Sequence, residues 1–87
     1  MATVTVLYFA SLRESLGVSR EQVALPPSGT PTVSTLLDSL RSRDARFTEA
    51  FAPGKRWRVA VNQQMADLAT PLRPGDEIAF FPPVTGG

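Results

Sequence analysis

The sequence contains no cysteine and no histidine. Those two absences exclude disulfides, thiol nucleophiles, zinc sites of the Cys/His kind and a serine nucleophile activated by histidine. There is a single lysine, Lys55. Acid–base chemistry near neutral pH would therefore need strongly shifted carboxylates or Lys55. No long run of one charge sign occurs, and the net charge is +1. That argues against nucleic-acid or anionic-membrane binding driven by bulk charge. No apolar run is long enough to span a bilayer, and Met1 to Ala10 lacks a basic leader. A cytoplasmic protein is expected. At 87 residues, 43% hydrophobic and 20% charged, the chain has the composition of one small globular domain.

What remains for covalent chemistry is the tail. The sequence closes Phe80, Phe81, Pro82, Pro83, Val84, Thr85, Gly86, Gly87. An apolar strand must stop at Pro82, because proline donates no ladder hydrogen bond. The Pro82-Pro83 pair favours a stiff, extended geometry. Gly86 and Gly87 have no Cβ, so a narrow channel in a partner can admit their backbone. The expected result is a thin probe, residues 82–87, with the Gly87 carboxylate at its tip. The competing reading is a frayed terminus without function.

Upstream, Thr3 to Phe9 reads as a first strand, with Val4, Val6 and Tyr8 on one face and Leu7 and Phe9 on the other. Ser11 to Leu16 reads as a short helix, with Ser11 and Glu14 at capping-box spacing and Gly17 as its stop. Ser19 to Leu25 is a second strand. Pro26 to Pro31 is a loop lacking the Lys-Ser/Thr ending of a phosphate-binding loop. Thr32 caps the main helix, Val33 to about Arg43, whose Val33, Leu36, Leu37 and Leu40 form an apolar stripe. Asp44 caps a short turn carrying Phe47 and Phe51, and Pro53-Gly54 is a turn. Arg56 to Val61 is a third strand, with Trp57, Val59 and Val61 inward and Arg56, Arg58 and Ala60 outward. Asn62-Gln63-Gln64 turns the chain, Met65 to Leu68 forms a short edge strand, Pro74-Gly75 fits the centre of a turn, and Glu77 to Phe81 is the last strand.

Strands on either side of one main helix, with first and last strands parallel and central, describe an α+β, ubiquitin-like β-grasp with a mixed sheet over residues 1–81. A ferredoxin-like fold would need a second full helix, and 44–51 is too short for one. Parity then sends Phe9 and Phe81 to the face without a helix, where Met65 can join them as a partner surface. Arg56 and Arg58 are either a solvated outer face or the contacts for acidic groups on a partner.

Taken together, VLYFASLRESLG, AVNQ, PGDEIAFFPP and VTGG resemble the small subunits of molybdopterin synthase, among the ubiquitin-like sulfur carriers. The resemblance spans nearly the whole chain, and FFPPVTGG is its specific part. It implies that an E1-like adenylyltransferase uses ATP to activate the Gly87 carboxylate, which becomes a thiocarboxylate. It implies a second partner, the synthase large subunit, whose pocket admits Pro82, Pro83, Val84, Thr85 and Gly86 and receives the sulfur for the pterin precursor. On this view the chain binds no cofactor of its own, donates sulfur without catalytic side chains and works in a hetero-oligomer. A thiamin-pathway carrier, a protein modifier joined to lysines and an inert interaction domain are the alternatives.

Overall fold

A computed structural model describes residues 3–25, 29–43, 45–52, 54 and 56–83. The expected Asp44 cap, Pro53, Lys55 and the tail residues Val84, Thr85, Gly86 and Gly87 lie outside the described residues. The elements run β1 (Thr3–Tyr8), α1 (Ala10–Leu16), β2 (Arg20–Ala24), α2 (Val33–Arg41), α3 (Ala45–Ala50), β3 (Arg58–Val61), β4 (Gln64–Met65) and β5 (Glu77–Phe81). The sheet order is β2-β1-β5-β3-β4. Only β1 and β5 pair in parallel, with Val6 opposite Ile78 and Tyr8 opposite Phe80. This is the mixed-sheet β-grasp expected from the sequence.

The core lies between the sheet and the helices. Val33, Leu36, Leu37 and Leu40 on α2 are at most 1% exposed, as are Val4, Val6 and Tyr8 on β1 and Ile78 and Phe80 on β5. The period-3.6 stripe and the period-2 alternation thus meet on one side of the sheet. Leu72 also belongs to this core, although it sits in an irregular stretch whose sequence carries no periodicity. The α2 start is fixed by a reciprocal cap. Thr32 Oγ1 accepts from the Thr35 N–H, and Thr35 Oγ1 accepts from the Thr32 N–H, satisfying two donors that a helix start otherwise leaves open.

Several expected boundaries move. No side chain caps α1, so the Ser11–Glu14 box does not form. Its N-cap is Phe9, still extended after β1, and Ala10 then takes a left-handed φ of 52° to turn the chain. Gly17 ends α1 at φ 73°, as its lack of a Cβ allows. The strand expected from Arg56 begins only at Arg58, and the edge strand expected to reach Leu68 stops at Met65. Arg41 and Arg43, placed away from the apolar stripe, are not merely solvated. Arg41 donates to the Phe51 carbonyl through Nε at 3.0 Å and Nη2 at 2.6 Å, and Arg43 pairs with Glu21 at 2.8 Å.

The turns position β5. Asn62 (φ 51°) and Gln63 (φ 69°) form the two-residue link of the β3–β4 hairpin, with both central residues at positive φ as a type I′ turn requires. The Asn62 amide donates to Asp76 Oδ1, and its carbonyl accepts from the Glu77 N–H. One side chain therefore ties that hairpin to the start of β5. Pro74-Gly75 occupies the centre of the preceding turn, closed by Asp76 N–H to Arg73 O at 3.1 Å, with Gly75 at φ 86°.

Candidate functional site

The site is the end of β5 and the surface around it. Phe80 is fully buried and anchors the strand in an aromatic cluster. It stacks with Tyr8 at 6.2 Å and meets Phe51 at 5.1 Å and Trp57 at 5.6 Å in edge contacts. Aromatic pairs at these separations add to the burial term. The strand that leads into Pro82 and Pro83 is thereby held within one residue of its end. Phe9 N–H donates to Phe80 O at 3.1 Å, so the chain leaving β1 is fastened to the same point.

Tyr8 has a polar tip on this apolar body. Its hydroxyl donates to Glu21 Oε2 at 2.8 Å, while Glu21 Oε1 takes the Arg43 guanidinium. Arg43 also lies over the Phe47 ring at 5.0 Å, a cation–π arrangement. Burial, and then the hydrogen bond from the hydroxyl to the Glu21 carboxylate, push the Tyr8 phenol far above its ordinary value. Tyr8 is therefore a neutral donor that buttresses the neighbouring strand. The sequence places Tyr8 on the face with Val4 and Val6 and carries no signal for this polar connection, because the partners lie on other elements.

The face of the sheet opposite the helices carries a lateral apolar row. Leu7 lies opposite Ala79, Ala79 opposite Ala60, and Ala60 opposite Met65, so four strands contribute one residue each. Arg20 closes the row beside Leu7 on β2. One step toward the tail, Phe81 lies opposite Arg58. Phe9 and Met65 are 47% and 62% exposed. Phe81, sent by parity to the face without a helix, is half-buried there and not exposed as a partner surface on a free monomer would be. Its neighbours on the sheet account for the difference, since it lies between β1 and β3 and not at an edge. Pro82 and Pro83 are likewise half-buried. Leu68, 50% exposed, adds an apolar group beyond β4 that the expected partner surface did not include.

Arg56 and Arg58 are both exposed. They line a cleft of about 440 Å³ with Trp57, Met65, Leu68 and Pro83, so the two arginines border the tail exit. Among the described residues no group of acidic or ring-nitrogen side chains is arranged to hold a metal ion. No helix among them is long and apolar enough to cross a membrane.

Comparison with known proteins matches residues 6–87 to the ThiS family. The chain is 42% identical to the molybdopterin synthase sulfur carrier subunit of Escherichia coli, over 97% of this chain and 99% of that one. It superposes on small archaeal modifier protein 1 from Haloferax volcanii with a TM-score of 0.78, at 27% identity over 97% of this chain and 100% of the other. A chain in the complex of subunits 1 and 2 of the molybdopterin-converting factor from Helicobacter pylori gives a TM-score of 0.67, at 26% identity over 98% of this chain and 99% of that one. The match extends through β5, the proline pair after it and the glycines beyond, and on that extent the chain belongs to the ThiS family, with molybdopterin synthase sulfur carrier subunits among its relatives.

Proposed function

We propose that this chain is the sulfur carrier subunit of a molybdopterin synthase and that Gly87 carries the sulfur. The observation that carries the reading is the end-to-end likeness to the Escherichia coli carrier subunit. The anchored β5 end supports it, because a tail that must deliver an atom to a fixed point gains from a rigid base. At neutral pH an α-carboxylate, with a pKa of about 3.5, is an anion and a poor electrophile. Adenylation by an E1-like, ATP-using partner solves this. A carboxylate oxygen attacks the α-phosphorus of ATP, pyrophosphate leaves, and an acyl-adenylate forms. Sulfur at the oxidation level of sulfide, delivered as hydrosulfide, then adds to the carbonyl carbon and AMP departs, leaving a thiocarboxylate. A chain without cysteine has no other group on which to carry transferable sulfur.

The large subunit of the synthase is the second partner. It receives the tail in a pocket and supplies the catalytic side chains, while Phe9, Met65 and Phe81 contribute an apolar docking face beside the exit. The Helicobacter pylori complex of two subunits supports such a hetero-oligomer. Tail length is the test. A chain lacking Gly87 places its carboxylate about 3.5 Å short, and Gly86→Val adds bulk in the channel. Both variants are expected to keep the wild-type circular dichroism and to yield no molybdopterin with the large subunit and the E1-like enzyme. Normal turnover without Gly87 would overturn the reading.

A second reading has its own support in the likeness to small archaeal modifier protein 1. As a modifier, the same adenylated terminus would be attacked by a lysine amine to form an isopeptide bond. Covalent conjugates of this chain that survive denaturant and thiols would favour it.

A further inference from the structure

We infer that the cleft between β3 and the β4 turn is a docking groove for an extended acidic segment of the large subunit, a contact that adjoins the apolar sheet face and shares Met65 with it. The inference rests on the partner proposed above. Three observations carry it. First, β4 pairs only with Ala60 and Val61. One further bond, Ala66 N–H to Val59 O at 3.0 Å, closes that ladder. The outer side of Trp57 and Arg58 then has no neighbouring strand among the described residues. An unpaired sheet edge is a template for an added extended chain. β4 stops there because its continuation folds on itself. Asp67 Oδ1 accepts from the Ala69 N–H at 2.9 Å, and the Asp67 N–H donates to Thr70 Oγ1 at 3.0 Å.

Second, the charges around the edge fit a carboxylate. Arg56 and Arg58 are exposed and enter no ion pair with a described residue. Asp67, the acidic residue in the cleft lining, turns Oδ1 toward its own turn at Ala69 and Thr70. Planar guanidinium forks favour carboxylates in two-point contacts. Third, Trp57 packs edge-on against Phe51 and Phe80 inside, while Met65, Ala66 and Leu68 also border the cleft. An aliphatic residue next to the carboxylate would find an apolar seat there. Pro83 also borders the cleft, and Met65 belongs to both it and the apolar row. A segment bound in it would sit against the root of the tail.

The test uses the whole chain and the purified large subunit, with binding measured across a salt series. Arg56→Gln with Arg58→Gln is expected to weaken binding about tenfold at low salt and to flatten its salt dependence, with an unchanged melting temperature. Phe81→Ala is expected to weaken binding while leaving the salt dependence as in wild type. Because Trp57 is the sole tryptophan, 5-fluorotryptophan labelling gives one fluorine resonance, expected to shift on complex formation. Wild-type affinity and salt dependence in the double glutamine variant, or an unmoved resonance in a formed complex, would overturn the groove and leave the proposed function intact. Failure of the unmodified chain to bind the large subunit at all would overturn both.

Discussion

The two faces of β5 differ in what covers them. Ile78 and Phe80 point to the helices and are 0% exposed, whereas Ala79 and Phe81, on the same strand, are half-buried with no helix above them. β1 and the residue after it repeat the contrast, with Val6 and Tyr8 covered, Leu7 half-covered and Phe9 exposed. Residues of one chemical class, alternating along one strand, thus meet two environments. One set holds the domain together, and the other stays partly open on the face without a helix. The lesson is that an apolar residue in a strand is not evidence of core until its face is known.

A pair of substitutions one residue apart separates the two faces most clearly. Phe80→Ala removes the hub of the aromatic cluster and is expected to cost about 3–5 kcal/mol of stability. For a domain of this size that approaches the whole folding free energy, so chemical denaturation should show a largely unfolded chain. Phe81→Ala is expected to cost at most about 1 kcal/mol of stability, given its half-burial, and about 1–3 kcal/mol of binding to the E1-like enzyme and the large subunit. Equal destabilisation by the two variants would erase the distinction between the faces.

That distinction was legible in the sequence because alternation has a period of two and β5 is free of breakers until Pro82. The α2 stripe and the Pro74-Gly75 turn were legible for similar local reasons. What was not legible depends on contacts distant in sequence. The register that sets Leu7, Ala79, Ala60 and Met65 in one row joins four strands. The ion pair of Arg43 with Glu21 links the end of α2 to β2. The shortness of β4 is imposed by the Asp67 turn, so a strand-like run from Met65 to Leu68 could not reveal the open cleft. At Ser11 the capping-box spacing was present, yet Phe9 became the cap because the chain is tied to Phe80 O before it turns.

A smaller effect sharpens the covered side. Tyr8→Phe removes a hydrogen bond to a carboxylate that Arg43 still holds, and is expected to cost about 1–2 kcal/mol at neutral pH. The pH dependence has a definite sign. Tyr8 keeps its proton more tightly folded than unfolded. Its contribution is therefore fully present below the ordinary phenol pKa, about 10, and declines as pH rises above it. Tyr8→Phe should flatten that decline. Because Tyr8 is the sole tyrosine, its titration can be followed by absorbance, and ionisation of the folded protein at the ordinary phenol pKa would contradict the buried hydrogen bond.

Whether Gly87 carries sulfur can be read from the intact mass of the chain. The chain purified from its own cells is compared with the chain from cells lacking the E1-like enzyme. The first is expected to contain a species heavier by the difference between one sulfur and one oxygen atom, localised to Gly87, and the second to lack it. The increment is expected to disappear when the large subunit and the pterin precursor are added. An identical, unmodified terminus in both preparations would rule out Gly87 as the sulfur carrier.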